Sequence, residues 1–166
     1  DASTDGLTQR PLLRDPFVIV APASTTCTAS QCLGGETGLP FLRYSRKQII
    51  GRRVDAQLRR LRHDIPRRIE LESTAAALAL ETKGQAWTIT TALNCAAVDH
   101  VLSDLQVLPM PDGAFSRHLS LIAREDLPDK LFGLVESHMR KLILTSMISP
   151  MVALEPRLRD EFRLTS

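Results

Sequence analysis

Short apolar runs of strand character alternate with helix-patterned stretches along this chain, and that alternation restricts the fold more than any other feature. Phe17-Val18-Ile19-Val20 follows Pro16 and reads as a buried strand stopped by Ala21-Pro22. Further strands are expected at Phe41 to Tyr44, Ile69 to Leu71, Trp87 to Thr90, Leu105 to Leu108 and Leu119 to Ala123. Between the second and third of these, Ile50, Val54, Leu58 and Leu61 recur at spacings of four, four and three, which puts them on one face of a helix. Ser45 and Gln48 have the spacing of a capping box at its start, and Pro66 ends it.

A second helix is expected from Ser73 or Thr74 to Thr82, closed near Gly84, and a third from Leu93 to Leu102. Asp126 is placed to cap a long last helix in which Leu127, Leu131, Leu134 or Val135, His138 and Leu142 share one face. Helices and strands alternating at these lengths build an α/β domain with a mostly parallel sheet. Ala23 to Gly38 is rich in Thr, Ser, Cys and Gly without a period and reads as a loop. The stretch around Pro150 and Pro156 reads as an irregular tail or a short appended helix.

The composition fits a folded chain: 43% of the 166 residues are hydrophobic and 24% charged, enough for a core without staples. Three cysteines, Cys27, Cys32 and Cys95, are an odd and sparse set that suits a reducing compartment, so a cytoplasmic location is expected. No apolar run approaches the roughly 18 residues of a membrane span, and no basic start with an apolar core marks an export signal. The chain opens at Asp1 rather than Met, which fits a processing boundary.

Catalytic and metal patterns are not found. His63, His100, His118 and His138 fall in separate elements, and Cys27 and Cys32 lack a second close pair, so no metal is expected. GxSxG and HExxH are absent, and Gly34-Gly35 with Gly38 lacks the spacing of a phosphate loop. The expectation is a protein that is not an enzyme and carries no cofactor.

The formal charge of +2 selects no partner, but it is unevenly spread. Residues 41 to 70 hold ten Arg or Lys against Asp55, Asp64 and Glu70, which makes that segment +7 and the remainder −5. With only Phe41 and Tyr44 as nearby aromatics, single-strand nucleic-acid stacking is not supported. The patch reads as a solvated face or as an interface within the same protein.

Hydroxyl residues stand where strands end and helices begin: Ser45 after Phe41 to Tyr44, Ser73 and Thr74 after Ile69 to Leu71, and Thr90 with Thr91 after Trp87 to Ile89. In an open parallel sheet the carboxyl ends of strands converge on one crevice, where helix N-termini offer free N–H groups to an anion. Three such ends make a pocket for a small carboxylate, with Glu72 placed either to discriminate against acids or to bind a polar group.

Pro11 to Val20, Gly38 to Ser45, and Ile69 to Thr74 followed by Lys83 to Thr91 resemble, in order and spacing, the effector-binding (substrate-binding) domain of LysR-type transcriptional regulators. Phe115 to Arg124 and the long helix after it are similar to that domain's returning strand and last helix. The resemblance covers about residues 7 to 142. It implies a periplasmic-binding-protein-like α/β fold with two subdomains joined by crossover strands, the first subdomain incomplete in this chain. Residues 1–21 would be a remnant of the first subdomain and the first crossover, 22–107 the second subdomain, 108–142 the second crossover and closing helix, and 143–166 a tail.

The implied effector contacts are Tyr44, Ser45, Ser73, Thr74, Thr90 and Thr91. The implied partners are a small-molecule effector, an organic acid or other anion, a second copy in a dimer or tetramer, and DNA only through an N-terminal domain absent from this sequence. Where the family has His-Pro after the first crossover, this chain has Thr26-Cys27-Thr28, and its third-strand approach reads Lys83-Gly84-Gln85-Ala86. A periplasmic-type solute-binding protein and a non-catalytic interaction domain, using the basic helix from Arg46 to Arg62, are the alternative readings.

Overall fold

The computed structural model describes residues 6–65, 68–72, 80, 83–111 and 115–166. Strand β1 (Leu7–Pro22) is sixteen residues long and organises the rest. Its first half pairs with β6 (Ser116–Arg124) and β7 (Arg163–Leu164). Its second half lies between β4 (Trp87–Thr91) and β5 (Leu105–Pro109). Beyond β4 come β2 (Phe41–Tyr44) and β3 (Arg68–Leu71), giving the order β3-β2-β4-β1-β5.

The strand at Phe17 to Val20 therefore extends well beyond its expected ends. Ala21 and Pro22 still pair with Gln106 and Leu105. Pro11 is accommodated at a register shift between Pro11 and Leu13. The expectation of a mostly parallel sheet is also corrected. Only β2 with β3 and β2 with β4 are parallel among the described pairings, because every partner of β1 returns against it.

The alternation of side chains along β1 explains its unbroken apolar run. Val18 and Val20 enter one core with Leu13, Cys95, Leu105, Val107 and Met151. Phe17, Ile19 and Ala21 enter the opposite core with Phe41, Val54, Leu58, Trp87 and Ile89. A strand covered on both faces has no polar side to show, so its sequence does not alternate.

The expected loop at Ala23 to Gly38 contains a short helix, α1 (Ala29–Leu33). Thr28 Oγ1 accepts the Gln31 N–H at 3.2 Å, and Gln31 Oε1 accepts the Thr28 N–H at 2.8 Å, a reciprocal capping box. Cys27 before the cap and Cys32 in the helix bring their sulfurs to 3.4 Å, completing an apolar staple.

Helix α2 (Ile49–Arg60) forms as its stripe predicts, with Val54 and Leu58 buried. The expected Ser45–Gln48 capping box does not form. Gln48 is itself the N-cap and makes no side-chain cap bond. Its Nε2 donates instead to the Glu72 carbonyl at 2.6 Å, while its N–H closes a turn on the Ser45 carbonyl at 2.9 Å. The expected second helix falls mostly on residues outside the described set.

The third expected helix is split into α3 (Ala92–Ala96) and a 3-10 turn (Asp99–Asp104), with Val98 leaving helical geometry between them at φ −129°. The last helix, α4 (Asp129–Ile143), starts after Pro128. Asp126 is held by Arg124 at 2.7 and 3.0 Å and does not cap it. The expected apolar face of this helix lies at the surface: Leu131, Leu134, Val135 and Leu142 are 42 to 59% exposed, whereas Phe132 and Ile143 are buried.

Arg10 of β1 fixes α4 by bonding Glu136 at 2.9 Å and Asp129 at 3.0 Å with its guanidinium over the Phe132 ring. The Arg10 bond and a second one from Arg140 Nε at 2.9 Å hold the Glu136 carboxyl below its usual range. The tail is ordered as a π turn (Leu144–Ile148), α5 (Ser149–Leu154), a 3-10 turn (Pro156–Leu158) and β7.

Gly51 sets how closely α2 approaches the end of β2. A Cβ there would lie 2.3 Å from the Ser45 carbonyl oxygen and 2.7 Å from that of Tyr44. Both are backbone atoms and cannot swing aside. Gly51→Ala should therefore cost about 1–3 kcal/mol in urea unfolding, and an unchanged midpoint would contradict this packing.

Candidate functional site

The parallel register brings the ends of three strands to one edge. Tyr44 pairs with Leu71, and Leu42 with Thr88, so continuing the ladder sets Tyr44 beside Thr90 and Ser45 beside Thr91. Tyr44 Oη and Thr90 Oγ1 share a hydrogen bond of 2.9 Å, and Thr90 Oγ1 also accepts Asn94 Nδ2 at 3.1 Å. Thr91 is the N-cap of α3. Its hydroxyl oxygen accepts the Asn94 N–H at 3.3 Å and Arg117 Nη2 at 3.2 Å.

Arg117 connects this edge to β1. Its Nε donates to Asp15 Oδ2 at 2.8 Å, while Asp15 Oδ1 accepts the Leu93 N–H at 2.9 Å. The carboxylate thus occupies the first turn of α3, where backbone N–H groups are otherwise unpaired. Asp15 is wholly buried, and burial raises its pKa above the ordinary 3.8 even though the Leu93 N–H and Arg117 pull it down.

Of the positions picked out by sequence, Tyr44, Thr90 and Thr91 join one bonded chain that runs through Asn94 and Arg117 to Asp15. Ser45 reaches the same edge, is buried, and bonds to Leu71 and Lys47 instead. Ser73 and Thr74 lie outside the described residues. Sequence reasoning missed Asp15, Asn94 and Arg117. Asp15 had a signal, being an acid against a fully apolar run, and Asn94 stands three residues after a capping Thr; Arg117 had none.

Among the described residues no group of three or more His, Cys, Asp or Glu gathers as a metal site. Cys27, Cys32 and Cys95 are all buried. Burial, then the bond with Cys27, pushes the Cys32 thiol well above its ordinary value, which keeps it protonated and unreactive. No described helix is long and apolar enough to cross a membrane.

A mixed α/β fold with a long shared strand and a hydroxyl-lined strand edge defines a periplasmic-binding-protein-like domain. Residues 1–136 match the family model for the LysR substrate binding domain, and the chain belongs to that family. The reduced form of OxyR from N. meningitidis is similar at TM-score 0.60 and 17% identity, covering 85% of this chain and 68% of that one. CbnR, a LysR family transcriptional regulator, aligns at TM-score 0.59 and 19% identity over 82% of this chain, which spans 48% of CbnR. The regulatory domain of Synechocystis PCC6803 CcmR in complex with 2-PG aligns at TM-score 0.60 and 16% identity, covering 82% and 66%. At these identities the likeness is one of fold. No curated protein matches the chain.

Asp15 gives this cluster a defined pH signature. Its raised pKa makes the ionised form costly in the folded state, so the stability it contributes is full below pH 3.8 and falls as pH rises through the raised value. Subtracting the stability profile of Asp15→Asn from that of the wild type should expose this descending component. The deficit of the variant relative to the wild type should therefore be largest in acid and shrink as pH rises towards neutrality; a pH-independent difference would contradict the assignment.

Proposed function

We propose that this chain is the effector-sensing part of a LysR-type DNA-binding regulator and not an enzyme. The effector is a small organic acid or other anion, taken at the carboxyl edge of β3, β2 and β4. The observation that carries this reading is the Tyr44–Thr90–Asn94–Thr91–Arg117 chain. It combines hydroxyls with a cation at the end of parallel strands, and Arg117 keeps 26% of its side chain exposed. Tyr44, Ser45, Thr90 and Thr91 are the contacts proposed from the described residues, with Ser73 and Thr74 completing the set. That CcmR is found in complex with 2-PG supports a small-molecule ligand for this fold.

The proposed division places residues 22–107 in one subdomain and 1–21 with 108–142 in the other, with β1 and β6 as crossovers. The exposed apolar row on α4 fits a face covered in a self-associating regulator, for which the cytoplasm is the proposed location. A ligand that favours one orientation of the subdomains shifts the assembly that presents the DNA-binding parts, and only differential affinity does so.

The test is a thermal-shift screen of the chain against small carboxylates, amino acids and oxyanions. A ligand at about 100 times its dissociation constant should stabilise by about 2.7 kcal/mol. Thr90→Val and Arg117→Gln should each weaken that ligand about tenfold or more. A ligand that binds both variants as it binds the wild type would place the effector elsewhere.

A further inference from the structure

The structure holds an arginine-lined cavity apart from the strand edge, and we propose that it binds a small organic polyanion bearing two or more carboxylate or phosphate groups. This cavity of about 380 Å³ lies where the last turn of α2 crosses the start of β2. Phe41, Leu58 and Ile65 contribute apolar surface to it, and Arg43, Arg46, Arg59 and Arg62 contribute four guanidiniums against Asp55 and Asp64. The concentration of charge in residues 41 to 70 is thus shaped into a concave site rather than spread only over solvent.

Two details mark it as a site for an anion. Asp55 is buried and already bonded to Arg43 Nη2 at 2.6 Å and Arg46 Nε at 2.7 Å, so one carboxylate sits between two cations. Arg43 is only 12% exposed, and its Nε is buried with no bonding partner among the described residues. The local balance favours an incoming acceptor with negative charge.

The second detail is the backbone of Arg62, which stands at φ 57° in the left-handed region. It closes α2, with its N–H on the Arg59 carbonyl at 3.0 Å and the His63 N–H on the Leu58 carbonyl at 2.9 Å. Glycine fits this closing position without strain. Arginine accepts the strain and lines the cavity, and strained side chains gather where the side chain has a task. The same two bonds occupy carbonyls of the last turn, which reduces the repulsion a helix C-terminus offers an anion.

Calorimetric titration of the 166-residue chain with citrate, at ionic strength held constant with chloride, tests this site independently of the strand-edge crevice. Saturable one-to-one binding is expected. Arg62→Gly should raise Tm by about 2–6 °C through relief of strain while weakening citrate about tenfold or more. Arg59→Gln, an exposed change that leaves the backbone alone, should weaken it similarly. Arg53→Gln, which removes an exposed charge of α2 outside the cavity, should leave it within about twofold. Absence of saturable binding, equal loss in Arg53→Gln, or undiminished binding by Arg62→Gly would each overturn the proposal. Loss of citrate binding in Thr90→Val would do so too, by placing citrate in the crevice.

Discussion

Two-sided burial of β1 is the constraint on which the rest of the molecule depends, because a strand with apolar side chains on both faces must be covered above, below and along both edges at once. Its Phe17 to Ala21 segment meets this fully: β4 and β5 take the two edges, and separate cores take the two faces. The first half meets it less completely, pairing with β6 and β7 and reaching the surface at Leu7 and Gln9. One strand thereby spans a well-buried sheet and a more exposed layer that carries α4.

The junction between those halves is where the polar chemistry sits. Asp15 lies at the turn-over point of β1, wholly buried, and holds both the first turn of α3 and Arg117 of β6. Arg117 in turn reaches Thr91, and Thr91 leads through Asn94 to Thr90 and Tyr44. A change at the strand edge is therefore felt at the point where the two halves of β1 meet. A buried charged network of this kind is costly unless every member is paired, and here the ladder geometry supplies the partners.

Much of the fold was legible because it rests on local patterning. The stripe of Ile50, Val54, Leu58 and Leu61 found its helix, and the runs at 41–44, 87–90 and 105–108 found their strands. What failed to show was non-local. The direction of β1 relative to its neighbours depends on which strands return beside it, so a parallel sheet was expected and antiparallel pairing dominates. The apolar face of α4 was read as a core stripe, but periodicity reports only amphipathicity, not what covers the face. At the strand edge the hydroxyls were visible as cap-like residues, whereas Asp15 and Arg117 are brought together from positions 102 residues apart. Gly51 was overlooked because its role lies in the carbonyls of Tyr44 and Ser45 above it.

Native-state hydrogen exchange along β1 tests the central claim most directly. Val18, Ile19 and Val20, paired on both edges and buried on both faces, should exchange only through global unfolding and be the slowest amides of the strand. Thr8, Gln9 and Arg10, paired with β6 and partly exposed, should exchange through a smaller opening of lower free energy. If Val18 to Val20 exchanged as fast as Thr8 to Arg10, β1 would not be the element that holds the two halves together.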